Sequence, residues 1–274
     1  MFPEINFFGT PLNLYGLCAS VGLIAMGIVA FVLGRRYKIL LEDILFGELF
    51  ILIGAFIGAH ILYGITNLPD IIYYLGLCFS EGWHAHYIFD IIFKFMDGMV
   101  YYGGLILGLV FGMLYCKFRK LDLGSFSDCF AVGIPLFHSI SRLGCFFAGC
   151  CYGIECGFGF TTHNAVVESA NGVNRFPVQL LECGFNALIF IALLILFRKG
   201  IMKGQLIYVY LLSYGTIRFF IDFLRGDEYR GFFLFLSTSQ WISLILVAFA
   251  LYKILKANNI NIIKKIKGDK NEAV

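Results

Sequence analysis

The chain has 274 residues, of which 59% are hydrophobic and only 14% are charged, and its formal net charge is +3. Water-soluble domains are nearer half apolar and a quarter charged, so a soluble protein of this length could not bury the excess, which includes 31 Phe residues. The composition therefore predicts an integral protein of the lipid bilayer, and the small net charge gives no support for nucleic-acid binding.

Seven apolar segments are long enough to cross a bilayer as helices, because a span needs about 20 apolar residues. They are continuously apolar rather than alternating, so the predicted fold class is all-α and polytopic. A weaker apolar stretch at 71–80 is predicted to lie at the membrane interface or to be re-entrant. The predicted spans, in chain order, are 12–33, 44–66, 98–116, 126–147, 178–197, 204–222 and 238–256.

The distribution of Lys and Arg predicts the topology, because cytoplasmic loops carry an excess of both. Fifteen of the 21 Lys and Arg residues fall on one predicted side, in the segments 35–38, 117–120, 198–203 and 253–270. The N-terminus is therefore predicted outside and the C-terminus in the cytoplasm, which an odd number of spans satisfies. The predicted domains are a single transmembrane catalytic domain, 1–258, and a basic cytoplasmic tail, 259–274.

Charged residues inside the spans mark a functional hypothesis, since each costs about 2.5–3.5 kcal/mol on insertion scales. Arg142 lies near the outer end of the fourth span and Arg218 near the outer end of the sixth. Asp222 follows Arg218 by one helical turn on the same face, and Arg225 comes next. The alternative is an ion pair that only holds helices together. Asp128, at the inner end of the fourth span, is interpreted as a packing or capping residue.

Polar or small residues from other spans fall at the same predicted depth, at their outer ends. The planar fork of arginine suits phosphate, and paired glycines allow close approach of a ligand or of another helix. An anion at outer-leaflet depth is most simply a phospholipid headgroup, so the pattern predicts an enzyme or transporter that handles phospholipid. The residues concerned are Tyr15, Gly16, Tyr102, Gly103, Gly104, Gln179 and Glu182.

Six stretches, in order along the chain, resemble one enzyme family. SRLGCFFAGCCYG at 141–153 is similar to the signature of prolipoprotein diacylglyceryl transferases, which in outline reads GRxGNFxNxExxG. The other five also resemble family motifs, and together the six cover most of the chain. They are LYGL at 14–17, GMVYYGGLI at 98–106, RFPVQLLE at 175–182, RFFIDFLR at 218–225 and QWIS at 240–243.

The resemblance implies a seven-span inner-membrane enzyme without a metal or soluble cofactor. A monomer is expected, since nothing in the sequence indicates a partner subunit. It would move the diacylglyceryl group of phosphatidylglycerol to the lipobox cysteine thiol of a prolipoprotein, releasing glycerol phosphate. Arg142 and Arg218 would stabilise the departing phosphate, Asp222 would orient Arg218, and Tyr102 would complete the catalytic set. The implied substrate-binding residues are Tyr15, Gly103, Gly104, Cys145, Cys150, Gly153, Gln179, Glu182 and Arg225.

The chain departs from the family pattern at positions that handle protons. Tyr102 replaces the family's histidine, and a phenol that titrates near 10 is a poor base at neutral pH. Cys145 and Ala148 replace two asparagines, and Cys150 replaces a glutamate. These departures leave two alternatives open: a phosphatidylglycerol-using transferase with another acceptor, or a non-catalytic membrane protein that binds phospholipid or lipoprotein.

A cysteine cluster with C-x4-C-C-x4-C spacing lies on the predicted outer side. It comprises Cys145, Cys150, Cys151 and Cys156. Four interpretations are open: structural cysteines or disulfides that brace the loop, a thiol that takes part in catalysis, a zinc site, or no special role. The spacing is not the C-x2-C usual for zinc.

Overall fold

The computed structural model describes the backbone of residues 4–7, 10–226 and 232–271 and the side chains of residues 4, 11–100, 103–226 and 234–257. Within these residues it contains nine α-helices and three short two-stranded antiparallel sheets. The fold is therefore mostly helical, as predicted. The helices are α1 (Leu14–Gly34), α2 (Leu41–Thr66), α3 (Leu68–Glu81), α4 (Ala85–Met96), α5 (Tyr101–Arg119), α6 (Leu123–Ala148), α7 (Val178–Lys199), α8 (Leu206–Ile221) and α9 (Thr238–Asn271). The strands pair as β1 (Glu4–Phe7) with β2 (Thr10–Asn13), β3 (Glu155–Thr161) with β4 (Asn174–Arg175), and β5 (Phe232–Phe233) with β6 (Leu236–Ser237).

Six helical segments among the described residues are long and apolar enough to cross a membrane. They match six of the seven predicted spans, and the chain is a multi-pass helical membrane protein. The other predicted span, 98–116, forms α5, whose side chains are described from Gly103 onward. The six segments are Leu14–Tyr37, Leu41–Thr66, Leu123–Ala148, Val178–Lys199, Leu206–Leu224 and Thr238–Ala257.

The chain divides into two compact units, and residues 34–126 form one of them. In this unit, α2 and α5 approach backbone to backbone through glycines. A Cβ atom on Gly58 would lie 2.2 Å from the carbonyl oxygen of Gly103, and one on Gly104 would lie 2.9 Å from that of Ala55. Small residues permit such close crossings between membrane helices. Gly103 and Gly104, predicted to bind substrate, thus lie in a helix–helix interface.

We expect Gly58→Ala to destabilise this unit, because the added methyl group would overlap the backbone of α5. Overpacking of this kind costs about 1–3 kcal/mol. Gly76→Ala in α3 is the matched control, since a Cβ atom there would meet nothing within 4 Å. The midpoint of thermal unfolding in detergent should fall by several degrees for Gly58→Ala and hold or rise for Gly76→Ala. Equal midpoints for the two variants would contradict the close packing of α2 and α5.

The weakly apolar stretch 71–80 lies inside α3, whose 14 residues are too few to span a bilayer. α3 packs beside α4, and a salt bridge of 2.8 Å joins Lys94 to Asp70. The placement of this helical pair at the membrane interface stays a prediction.

The second unit contains the residues up to 33 and from 127 onward, and in it α1 and α6 run side by side. A Cβ atom on Gly133 would lie 3.0 Å from the carbonyl oxygen of Met26, and one on Gly144 would lie 3.2 Å from the Cα atom of Tyr15. The glycines of α6 therefore bring α1 close along its length. Tyr15, at the start of α1, consequently lies beside the C-terminal end of α6.

Asp128 joins α6 to α8 in the second unit, and its side chain is fully buried. Its two carboxylate oxygens accept hydrogen bonds from the backbone N–H groups of Gly204, at 2.5 Å, and Leu206, at 2.9 Å. These donors lie at the start of α8, where N–H groups have no partner within the helix. The interpretation of Asp128 as a packing or capping residue is confirmed.

Candidate functional site

Four charged side chains of the second unit, from α6, α7, α8 and the turn that follows α8, form one buried network. Arg142 of α6 places its Nε atom 2.5 Å from Oε2 of Glu182 on α7. Arg218 of α8 pairs through Nη1 with the other oxygen of Glu182, and its Nη2 atom lies 3.3 Å from Oδ1 of Asp222. The side chains of Glu182 and Asp222 are only 4% and 2% exposed. Because two carboxylates face two guanidiniums, the network buries four charges with no net charge.

Asp222 is itself fixed by the start of α9. The hydroxyl of Ser237 donates a hydrogen bond to Oδ2 of Asp222, and that of Ser239 donates to Oδ1 at 2.7 Å. Ser237 and Gln240 form a capping box: the N–H of Gln240 donates to the Ser237 hydroxyl at 3.1 Å, and the N–H of Ser237 donates to the Gln240 side chain at 2.8 Å. The hydroxyls that hold Asp222 therefore sit on a well-defined helix terminus.

The C-terminus of α6 folds Cys150 back toward Cys145. Gly149 adopts a left-handed conformation with φ of 73°. The N–H of Cys150 donates to the carbonyl of Cys145 at 3.2 Å, and the N–H of Gly149 donates to that of Phe146 at 3.2 Å. These two hydrogen bonds define a Schellman motif, which places the residue after the glycine against the helical residue five positions earlier. Cys145 and Cys150, five positions apart in the sequence, are therefore neighbours in the structure.

Cys151 completes a group of three thiols. The sulfur atoms of Cys145, Cys150 and Cys151 all lie within 4.8 Å of one another. Arg142 approaches the group, with its Nη1 atom 3.7 Å from the sulfur of Cys145. Hydrogen bonds from Cys145 and Cys150 hold the pKa of the Cys151 thiol below its usual range. The positive charges of Arg142 and Arg225 also lower this pKa, whereas burial raises it.

All nine cysteines of the sequence lie within the described residues, and each is a free thiol. The structure therefore does not contain the disulfide brace that was one interpretation of the cluster. Cys156, the fourth member of the sequence pattern, is not part of the three-sulfur group.

The loop after this cluster is held by close backbone contacts at Gly153. A Cβ atom there would lie 2.3 Å from the carbonyl oxygen of Phe176 and 3.0 Å from that of Leu224, so only glycine fits. Gly153 forms a β-bridge with Arg225, and the N–H of Gly226 donates to the carbonyl of Tyr152 at 3.0 Å. Gly153 and Arg225, both predicted to bind substrate, are thus adjacent through their backbones.

Gln179 and Arg175 hold the same loop with their side chains. The amide of Gln179 donates to the carbonyl of Cys150 at 2.8 Å. The guanidinium of Arg175 stacks on the ring of Tyr152 at 4.3 Å and donates to the carbonyl of Ser169 at 3.0 Å. Gln179, also predicted to bind substrate, therefore positions the backbone that carries the cysteines.

The second unit brings together most of the predicted site residues. Tyr15 is half exposed beside the C-terminal end of α6, within electrostatic range of Arg142 and of the three sulfurs. Gly103 and Gly104 belong to the other unit and pack α5 on α2 there. The side chain of Tyr102 lies outside the described residues. The residues that share the second unit are Tyr15, Arg142, Cys145, Cys150, Gly153, Gln179, Glu182, Arg218, Asp222 and Arg225.

Three residues near the network were not predicted as site residues: His138, Ser237 and Ser239. His138 lies one turn before Arg142 on α6, and its Nδ1 atom is 3.0 Å from the hydroxyl of Tyr210. The four-residue spacing of His138 and Arg142 indicates a shared helix face. The S-x-x-Q pattern at 237–240 indicates a capped helix start. Neither pattern indicates which side chains of other helices these residues contact.

This arrangement suits the binding of an anion with reactive sulfur beside it. The carboxylates fix both guanidiniums, so their donors are oriented before any ligand arrives. Oriented guanidinium N–H donors of this kind stabilise negative charge that develops on a leaving phosphate. The thiols lie on the Arg142 side of the network.

Comparison with known proteins identifies the family. The family model described as prolipoprotein diacylglyceryl transferase matches residues 4–256. A phosphatidylglycerol--prolipoprotein diacylglyceryl transferase of Clostridium tetani is 32% identical over 254 residues, covering 90% of this chain and 94% of the relative. Phosphatidylglycerol--prolipoprotein diacylglyceryl transferase 2 of Clostridium perfringens is 31% identical, with 88% and 90% covered. A phosphatidylglycerol--prolipoprotein diacylglyceryl transferase of Streptococcus equi subsp. zooepidemicus is 29% identical, covering 93% of this chain and 95% of the relative.

The family model matches nearly the whole chain, and the matched parts of the three relatives make up 90–95% of their length. The resemblance read from six short motifs is thereby confirmed. The chain belongs to the prolipoprotein diacylglyceryl transferase family.

Proposed function

We propose that this protein transfers the diacylglyceryl group of phosphatidylglycerol to the lipobox cysteine thiol of prolipoproteins and releases glycerol phosphate. The observation that carries the proposal is the buried network of Arg142, Glu182, Arg218 and Asp222 in a chain that matches the family from residue 4 to residue 256. An oriented pair of arginines suits a reaction in which a phosphate ester leaves carbon.

Each member of the network has a proposed role. Arg142 and Arg218 stabilise the negative charge that develops on the departing glycerol phosphate. Glu182 holds one guanidinium on each of its carboxylate oxygens, and Asp222 orients Arg218 through its other terminal nitrogen. Arg225, one helical turn beyond Asp222, guides the anionic headgroup toward the pair. These electrostatic interactions stabilise the departing phosphate more strongly in a site that excludes water than in bulk water, because the effective dielectric constant is lower.

The proposed setting is the bacterial cytoplasmic membrane, with seven spans, the N-terminus outside, the C-terminus inside and the site facing the outer leaflet. The lopsided distribution of Lys and Arg supports this orientation. The proposed catalytic domain is 1–258, followed by a basic tail, 259–274, that rests on anionic lipid. One chain supplies all four members of the network, which supports action as a monomer.

A transfer assay tests the proposal directly. Purified protein in detergent receives phosphatidylglycerol with labelled acyl chains and a synthetic lipobox peptide. The control is the same peptide with Ser in place of the lipobox Cys. We expect label on the cysteine peptide alone, with an equal amount of glycerol phosphate released. Bound lipid without transfer to the peptide would reject the proposed reaction in favour of another acceptor or of a binding role.

A further inference from the structure

The three sulfur atoms near the end of α6 have the spacing of ligands around one metal ion. Cys145, Cys150 and Cys151 bring their Sγ atoms within 4.8 Å of one another. Ligands at a zinc–sulfur distance of about 2.3 Å lie about 3.8–4.0 Å apart in trigonal or tetrahedral geometry. The three thiols therefore need only a small contraction to bind one cation.

The backbone conformation of residues 145–151 brings these three sulfur atoms together. The Schellman motif at Gly149 lays Cys150 on Cys145. Cys151 then adopts a left-handed conformation, with φ of 56°, which residues with a side chain seldom do. Such conformations concentrate at functional sites, where surrounding structure enforces them. The amide of Gln179 fixes the carbonyl of Cys150 at 2.8 Å, so the turn is held from outside as well.

The chemistry of the three side chains selects the class of ligand. Thiolates are soft donors, and they favour thiophilic ions such as Zn²⁺ over the hard ions Mg²⁺ and Ca²⁺. Three thiolates and one divalent ion leave a single negative charge, and Arg142 lies 3.7 Å from one of the sulfurs. Cys150 and Cys151 are partly exposed, so an ion bound there would be open on one side. Three protein ligands with an open fourth position are typical of catalytic rather than structural zinc sites.

We propose that Cys145, Cys150 and Cys151 bind one thiophilic divalent cation of the Zn²⁺ type, whose fourth position takes the acceptor thiol. The second half of this inference rests on the proposed transferase function. It revises the expectation, drawn from the resemblance, that no metal is used. It also accounts for the departures from the family pattern, since Cys145 and Cys150 stand where the family has asparagine and glutamate.

The proposed step needs no separate base. The acceptor thiol binds the cation as a thiolate and its proton passes to water, because coordination deprotonates a thiol. A sulfur electron pair forms the C–S bond to the glyceryl CH₂ carbon. The C–O bond to phosphate breaks, and its electron pair leaves with glycerol phosphate, next to Arg142 and Arg218. The thioether product is neutral and a weaker ligand, so it leaves the cation, and no atom is oxidised or reduced.

Metal binding is measured first, without lipid or peptide. The reduced full-length protein in detergent is titrated with Cd²⁺, which gives a thiolate-to-metal absorption band, and bound Zn²⁺ is quantified after removal of free ions. We expect about one cation per chain, with affinity reduced about tenfold or more by Cys150→Ser or Cys151→Ser. Cys156→Ser is the matched control and should bind like the parent. A parent protein with no stoichiometric cation, or affinity indifferent to Cys150 and Cys151, would overturn the site.

The acceptor is tested second, on protein loaded with Co²⁺ and again without lipid. A lipobox peptide should change the visible spectrum of the bound ion, and the peptide with Ser in place of Cys should not. Identical spectra with both peptides would overturn the open-position role. Because neither readout requires transfer, a failed transfer assay with metal binding intact would reject the proposed function and leave the metal site standing. Full transfer by protein stripped of metal would reject the role of the cation.

Discussion

Glu182→Gln should destabilise the protein and abolish diacylglyceryl transfer. The carboxylate of Glu182 is 4% exposed and faces two guanidiniums, so an amide in its place leaves Arg142 without its carboxylate and Arg218 with Asp222 alone. Removing one partner of a buried ion pair costs about 3–5 kcal/mol, because the remaining charge stays buried without compensation. Thermal unfolding in detergent measures the loss of stability, and the transfer assay measures the loss of activity.

The matched control for this variant is Glu155→Gln. Glu155 also pairs with an arginine, but the distance to Arg175 is 3.6 Å and its side chain is 69% exposed. Exposed pairs contribute about 0–1 kcal/mol, so the control should unfold and react like the parent. An unfolding midpoint for Glu182→Gln equal to that of Glu155→Gln would show that the buried network does not stabilise the fold.

The membrane-spanning elements were predictable from the sequence, whereas the pairing inside the site was not. Hydropathy over 20 residues is a property of each segment alone, so α1, α2, α6, α7, α8 and α9 appear near their predicted positions. The bridging role of Glu182 depends on how α6, α7 and α8 pack, and no local pattern specifies that packing. Arg142, Arg218 and Asp222 were therefore predictable as catalytic candidates, whereas Glu182 was predicted to bind substrate.

The cysteine cluster was partly predictable from local chemistry. Gly149 follows the last residue of α6, where a left-handed glycine commonly ends a helix. That geometry alone brings Cys150 to Cys145. The left-handed turn at Cys151 could not be predicted, because a residue with a Cβ atom seldom adopts it. The spacing of these cysteines in the sequence is not the one usual for zinc, but the backbone conformation places three of their sulfur atoms close enough together to bind it.

Gly103 and Gly104 were predicted to bind substrate, but in the structure they pack α5 against α2. Paired glycines leave two possibilities open, a ligand or a neighbouring helix. The distance of 2.1 Å between a Cβ atom on Gly103 and the carbonyl oxygen of Gly58 leaves room only for the helix on that face. Composition at a motif therefore does not distinguish a binding role from a packing role.

Arg218→Lys should reduce transfer by about 100- to 1,000-fold, the loss typical when one preorganised donor to a developing anion is removed. Arg218 uses two nitrogen atoms of one planar group, pairing Nη1 with Glu182 and placing Nη2 3.3 Å from Asp222. Lysine keeps the charge but lacks the planar fork, so it does not hold both carboxylates and also present oriented donors to phosphate. Arg142→Ala should have an effect at least as large, while the amount of protein in the membrane holds.

Arg119→Lys is the matched control for both arginine variants. Arg119 also contacts a carboxylate, with Nε 2.7 Å from Oδ1 of Asp43, but it is 42% exposed and belongs to the unit formed by residues 34–126. Its substitution should leave transfer unchanged, since one nitrogen of lysine can replace one contact. If Arg218→Lys or Arg142→Ala transfers lipid at the parent rate, the leaving phosphate is not stabilised by this network, and the proposed site is wrong.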